Sequence, residues 1–519
     1  MNFIARTAGE TFTLPTLDYR AMAPIVILLA AGVISVLVEA FAPRRARRPL
    51  QLVLVFASLL VATGWLVSIA GVRTITGSGS VVIDGPALVL QGTLLVVALL
   101  AACLIAERSI DPSGDSFAPR ASALPGSQDE REFTNRGYFQ TEVWPLFLFS
   151  VGGMLLFVAA GDLLTMFVAL EVMSLPLYLM AGMARRRRLL SQEAALKYFI
   201  LGAFASAFFL FGAALTYGYA GSVNFGAISL ALGARPTETG LALAGVALLA
   251  IGLLFKVSAV PFHQWTPDVY QGSPTPVTAF MAATVKVAAF GALLRLLYVA
   301  FAGLQWDWTP ALWVIAILTM VYGSLVAVAQ SDIKRMLAYS SIAQAGFLLV
   351  GLVAVTPAGL LGVLFYLVAY GFTTIGAFAI VSMVRNATGE ANNLASWAGL
   401  GRKSPLVGGL FALFMLSLAG IPLTAGFIGK FSVFTAAVDA GAQWLVVVAV
   451  LMSVVAAFFY IRVIVVMFFT APNDQTASVV VPSAFTAIAL AASAAVTVIL
   501  GVAPQPVLDL LRNAEVFLR

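Results

Sequence analysis

Along this chain, apolar residues run in blocks of about 20 positions, separated by short stretches carrying Pro, Gly or charge. Blocks of that length predict helices that cross a bilayer, whereas strands of a membrane barrel would alternate apolar and polar positions over about 10 residues. Helices also satisfy every backbone N–H and C=O within the segment, as hydrocarbon requires. Fourteen spans are counted, near residues 22–41, 50–71, 81–106, 143–160, 162–184, 192–219, 241–261, 276–301, 310–330, 336–355, 358–384, 405–430, 442–469 and 480–502. The expected fold class is therefore an all-α integral membrane protein of about 14 transmembrane helices.

Composition agrees: of 519 residues 61% are hydrophobic and 10% charged, too apolar for a soluble domain with a solvated surface. The single cysteine, Cys103, lies inside an apolar run, and there is one histidine. That inventory excludes a thiolate cluster, a usual structural zinc site and a bis-histidine haem, so this chain is not expected to carry electrons through metal.

The net charge of +6 sits mostly in short loops, where it sets orientation rather than attracting nucleic acid. Arg44, Arg45, Arg47 and Arg48 follow the first span, Arg185 to Arg188 the fifth, Lys334 and Arg335 the ninth, and Arg385, Arg402 and Lys403 the eleventh. Every cluster follows an odd-numbered span. All four then lie on one side, cytoplasmic by the positive-inside rule, and both termini on the other. The first run is of full spanning length and ends in PRRARR at 43–48, so no cleavable signal peptide is expected. The insert from Glu107 to Glu142, rich in Ser, Pro, Gly and mixed charge, is expected to be a flexible cytoplasmic loop.

A shift of about 170 residues lays GDLLTMFVALEVMSLPLYLMAG (Gly161 to Gly182) on SDIKRMLAYSSIAQAGFLLVG (Ser331 to Gly351). In addition, the segments from Leu241 to Ser273 and from Pro405 to Gly441 are too long for one straight span, and each is interrupted by Pro and Gly near its middle, at Pro261 and Pro422. Two five-helix repeats follow, spans 4–8 and 9–13, each with a broken helix. An odd number of helices per repeat inverts the second relative to the first, and broken helices at matching positions point to an ion path. The expected organisation is a three-helix segment (1–106), a cytoplasmic loop (107–142), repeats at 143–301 and 302–470, and a C-terminal helix and tail (471–519).

A charge at the bilayer centre costs roughly 2.5–3.5 kcal/mol, so each one needs a reason. Five stand out: Glu171 in span 5, Lys197 in span 6, Lys256 in broken span 7, Lys286 midway along span 8, and Lys430 in broken span 12. Lys197, about two turns inside its span, could instead snorkel to the interface. His263, just after Pro261, could relay protons or merely satisfy loose backbone groups. Arg295, Arg462 and Glu39 lie nearer span ends and read as structural. Burial disfavours a charged lysine and a nearby carboxylate favours it, so a row of lysines with one glutamate suits transferable protons. It is a poor sodium site, which would need several oxygen ligands.

ALEVMSLPLYLMAG (169–182), ALKYFILGAFASAFFLFG (195–212), FKVSAVPFHQWTPDVYQGSPTPVTAFMAATVKVAAF (255–290), DIKRMLAYSSIAQAG (332–346) and AGIPLTAGFIGKF (419–431) together resemble the antiporter-like proton-pumping subunits of bacterial NADH-quinone oxidoreductase, respiratory complex I. The motifs occur in order over spans 4 to 13. The resemblance implies proton transfer by Glu171, Lys197, Lys256, Lys286 and Lys430, driven by NADH-to-quinone electron transfer in other subunits. It also implies a multi-pass place in the bacterial cytoplasmic membrane, beside other membrane-arm subunits including sister antiporter-like ones. NAD, FMN, iron–sulfur clusters and quinone would belong to partner subunits. A lysine rather than glutamate at Lys430, and a chain ending soon after span 14, favour one sister subunit over the others. Two alternatives stay open: a subunit of a multisubunit cation/proton antiporter, and a structural membrane scaffold.

Overall fold

The computed structural model describes residues 16–111, 114–118, 124, 127–135, 140–387, 389–472, 476–514 and 516–518. Twelve helices among the described residues are long and apolar enough to cross a membrane. They match twelve of the expected spans. The remaining two are Val143–Ala159, which has 17 residues, and a broken pair, Pro405–Ala419 and Ala425–Asp439. Span 7 is likewise broken, into Gly240–Val257 and Trp265–Gly272. Span 8, Thr275–Ala300, carries a π-helical turn at Met281–Val285.

Burial is uneven among the spans. Thr275–Ala300, Ile333–Leu352 and Pro357–Met383 are almost wholly enclosed, while Arg44–Ser68 and Gln443–Phe469 show most of their surface outward. The enclosed spans form the centre, and Lys286 lies in one of them. Among the described residues short strands lie between the spans, Thr74–Thr76 with Val81–Ile83, and Val384–Asn386 between Gly389–Glu390 and Ser478–Val479.

Several contacts recur at a spacing of about 170 residues. Asp162 caps Leu163–Ala181 by accepting from the Thr165 amide (2.7 Å), and Asp332 caps Ile333–Leu352 by accepting from the Arg335 amide (3.0 Å). Each aspartate also bridges an asparagine, Asn224 and Asn393 respectively. Arg295 donates to the Val158 carbonyl (3.0 Å) and Arg462 to the Val328 carbonyl (2.7 Å). A Cβ on Gly153 would lie 2.5 Å from the Met173 amide nitrogen, and one on Gly323 2.6 Å from that of Ala343, so in both places only glycine admits so close a helix crossing.

The insert after span 3 departs from the expected flexible loop. Where described, it is held by buried carboxylates: Asp115 pairs with Arg185 at 2.6 Å, and Asp111 with Arg186 at 3.1 Å and with Arg385. Asp111 and Asp115 thus dock the first part of the insert on the loops after spans 5 and 11, whereas Leu124 and the short helix Gln128–Asn135 further along it are exposed. Residues 112–113, 119–123, 125–126 and 136–139 of the insert, and 1–15 of the N-terminal segment, lie outside the described residues. Arg295, expected to be structural, forms a fork on Asp84 at 2.7 and 2.9 Å with both side chains essentially unexposed.

Candidate proton path

Each broken helix frees carbonyls, and the two prolines explain which. In a continuous helix the Val257 carbonyl would accept from residue 261 and the Leu418 carbonyl from residue 422. Pro261 and Pro422 have no N–H to give. The Val257 carbonyl instead accepts from Lys286 Nζ at 3.2 Å, and the Leu418 carbonyl from Gln344 Nε2 at 2.8 Å. The helix ends turn on Ser258 and Gly420, both in the left-handed region (φ 67° and 83°).

Lys256, Lys286 and Lys430 are buried to within 4% of full enclosure. Lys256 Nζ donates to the Tyr178 hydroxyl (3.2 Å) and lies 5.1 and 5.3 Å from the ring centres of Tyr178 and Tyr198. Lys286 Nζ donates to the Ser341 carbonyl (2.6 Å). Lys430 Nζ donates to the Ala419 carbonyl and the Ser453 hydroxyl, each at 2.9 Å, over the face of Phe347. None of the three forms an ion pair with a carboxylate among the described residues. Their partners are carbonyls, hydroxyls and aromatic faces, which hold an ammonium without fixing its proton.

The other three expected residues fall differently. Glu171 accepts from Ser206 Oγ at 2.5 Å, and no ion pair joins it to Lys256; Tyr178, two turns further along the same helix, supplies the hydroxyl contact instead. Lys197 is 43% exposed at its side chain and pairs with Glu193 and Asp268, both at 2.7 Å. Asp268 in turn binds Arg335 at 2.7 Å, a network on the outer side of the break helix. His263 stacks edge-on against Tyr322 (4.5 Å between ring centres), and its Nδ1 has no partner. Among the described residues no hydrogen bond or ion pair links it to Lys256 or Lys286.

What spans the distance between Lys286 and Lys430 is a set of neutral side chains that sequence reasoning passed over. Ser341 Oγ meets the Tyr370 hydroxyl at 2.8 Å, one residue from Ser340, which bonds the Tyr460 hydroxyl. Gln344 donates to Tyr460 (3.1 Å) and accepts from Tyr366. Gln344 also reaches the Leu418 carbonyl, adjacent to the Ala419 carbonyl that holds Lys430. The available signal was YSSIAQ at 339–344: it lowers the mean hydropathy of Ile333–Leu352 to 1.2, the least apolar of the twelve long spans, although 94% of that window is enclosed. Among the described residues, no three His, Cys, Asp or Glu side chains gather as a metal site.

Enclosed lysines held by carbonyls, hydroxyls and aromatic faces, two of them in broken helices of a polytopic bundle, are the pattern of an antiporter-like membrane protein. The model of the NADH:quinone oxidoreductase/Mrp antiporter transmembrane family matches residues 160–456. NADH-quinone oxidoreductase subunit N of Rhodococcus opacus (strain B4) is 57% identical over 530 aligned positions covering 98% of each chain, and that of Acidothermus cellulolyticus is 55% identical over the whole of both. A chain of respiratory complex I from Thermus thermophilus, solved with bound aureothin, superposes with a TM-score of 0.77 at 35% identity, covering 95% of this chain and 100% of that one. A chain of the Mrp complex from Dietzia sp. shares the fold (TM-score 0.79, 24% identity, 96% and 97% covered). The chain belongs to this antiporter-like transmembrane family and, within it, to the subunit N family of NADH-quinone oxidoreductase.

Proposed function

We propose that this chain is a proton-translocating membrane-arm subunit of NADH-quinone oxidoreductase, moving protons along its buried lysines while partner subunits carry electrons from NADH to quinone. The observation that carries this is two hydrogen-bonded groups, Ser341 with Tyr370 and Ser340 with Tyr460, Gln344 and Tyr366, that meet at the neighbouring residues Ser340 and Ser341 between Lys286 and Lys430. Hydroxyls both donate and accept, so with intervening water they pass protons between lysines without metal or sodium ligands. Lys256 and Glu171 act as a switchable couple through Tyr178 and Ser206, and Lys197 tunes it from the Asp268 network. His263 serves as a side relay at the break rather than a link between lysines.

The contacts repeated about 170 residues apart support two inverted five-helix repeats, 143–301 and 302–470, flanked by a three-helix segment (1–106), a cytoplasmic insert (107–142) and a C-terminal helix and tail (471–519). The basic clusters support termini on the non-cytoplasmic side of a bacterial cytoplasmic membrane. FMN, iron–sulfur clusters and the NADH and quinone sites belong to other subunits, and the neighbours include sister antiporter-like chains. The likeness to an Mrp chain keeps a cation/proton antiporter as the rival, which recovery of antiporter chains instead of NADH-oxidising partners in a mild-detergent pull-down would favour.

The decisive test is NADH-quinone turnover alongside proton uptake in inverted vesicles carrying Lys256→Ala, normalised to assembled complex. A joint fall of about tenfold or more is expected; persistence of both would remove Lys256 from the path.

A further inference from the structure

On the face that carries the arginine clusters there is a cavity of about 270 Å³, bounded by the insert, the loop after span 5, the end of the break helix Trp265–Gly272 and the hairpin after span 11. It does not include the lysine row. Five cationic residues line it against two carboxylates, Asp111 and Glu390. Those carboxylates are already engaged, Asp111 with Arg186 and Arg385, and Glu390 with Thr275 (2.7 Å) and Lys334 (3.7 Å). The side chain of Arg187, also lining it, makes no hydrogen bond or ion pair among the described residues.

Two further features make this a built site rather than a charged surface. Ser273 is 2% exposed and its hydroxyl has no partner; Asn392 is 5% exposed and its Oδ1 has none; both line the cavity. Buried polar groups left unpaired are unfavourable, so an occupant with both acceptors and a donor is called for. In addition, the 33-residue helix Arg188–Ala220 starts here with no side-chain cap on its free amides. Its N-cap is Arg187, held at φ 53°, a left-handed backbone that non-glycine residues adopt at a cost. The helix start abuts the break helix, since a Cβ on Gly272 would lie 2.7 Å from the Leu190 carbonyl. Positive helix end, unpaired guanidinium and buried hydroxyl converge on one space.

We propose that this cavity binds a phosphate-bearing anion that also carries a hydroxyl. Its phosphate oxygens accept from Arg187, Ser273 Oγ and the first amides of the helix, and its hydroxyl donates to Asn392 Oδ1. Inorganic phosphate and a phosphatidylglycerol headgroup share that chemistry. Bound there, the anion would clamp the insert and the arginine loop to the break helix, stiffening the cytoplasmic rim beside the lysine path.

The test uses the complex purified through a tag on this chain with its native partners, in nanodiscs of phosphatidylcholine alone or with phosphatidylglycerol. Binding of ³²P-labelled inorganic phosphate is measured in the first, and retained phosphatidylglycerol per complex by mass spectrometry in the second. Arg187→Glu should weaken occupancy at least tenfold and Ser273→Ala severalfold, with tag-recovered complex unchanged. Loss of phosphate binding in Arg187→Glu identifies a free anion. Loss of retained phosphatidylglycerol alone identifies a lipid. If neither probe separates Arg187→Glu and Ser273→Ala from the unsubstituted complex, the cavity holds only water and the proposal is wrong. None of these readouts requires proton transport, so the outcome is separate from that of the proposed function.

Discussion

Two kinds of buried cation coexist in this protein, and they should respond oppositely to removal. Arg295 is locked to Asp84 in a fully enclosed fork, so Arg295→Met strands a buried carboxylate. The expected cost is about 3–5 kcal/mol, seen as depletion of assembled complex on native gels. Among the described residues Lys430 has no carboxylate partner; it meets a carbonyl, a hydroxyl and an aromatic face. Lys430→Met therefore leaves no stranded charge: assembly should hold while proton uptake per complex falls about tenfold or more. Equal loss of assembly in the two variants would make Lys430 structural. Tyr178→Phe removes the hydroxyl on Lys256 at a cost of about 0.5–1.5 kcal/mol, and should slow proton uptake without depleting the complex. Glu171, Lys197, Lys256, Lys286, Lys430 and His263 stand out in the sequence because a charged or titratable group is costly in an apolar run. Their partners were not legible there: Lys197 turned to Asp268 and His263 to Tyr322, choices set by helix rotation and by chain segments far apart in sequence.

At the level of elements, the prolines determine where carbonyls are freed, and side chains from other helices collect them. Pro422→Ala returns an N–H that competes with Gln344 for the Leu418 carbonyl, so it should reduce proton uptake while helicity by circular dichroism stays constant or rises. Unchanged uptake would mean that the break is not needed for the path. The end of span 3 offers a pH-dependent case. Burial pushes the Glu107 carboxyl up, but donors from Ser483 and Ser109 outweigh it and hold the group at about 2. A depressed carboxylate adds stability above its unfolded pKa of about 4.3, and that stability is lost as pH falls through the folded value. The Ser483 amide, which donates to Glu107 at 2.9 Å, should therefore lose hydrogen-exchange protection between about pH 4.3 and 2, and Glu107→Gln should abolish that dependence. Both broken helices were legible from Pro and Gly inside segments too long for one span. The tyrosine and serine series was not, because neutral hydroxyls inside an apolar span are common and only their convergence marks a route.

For the whole molecule, the orientation makes a prediction of its own. If the arginine loops are cytoplasmic, a cysteine at Arg186 in a Cys103→Ser background should be labelled by an impermeant maleimide in inverted vesicles and not in intact cells. The reverse pattern would invert the topology. The insert shows where whole-molecule contacts overrule local composition, since Asp111 and Asp115 tie a polar, Pro- and Gly-rich stretch to arginines some 70 to 270 residues away. Read alone, the amino-acid sequence carried the spans, the two breaks, the charges inside apolar runs and the family resemblance. Each of these follows from local rules: hydrocarbon demands apolar residues and internally satisfied backbone, proline removes a donor, and a charge within such a run is conspicuous. Which group holds each lysine, which neutral side chains lie between them and which cations are locked to carboxylates emerged only once the helices were packed. A side chain's partner depends on the rotation and crossing of helices distant in the chain, and no periodicity along one segment encodes its neighbour's face.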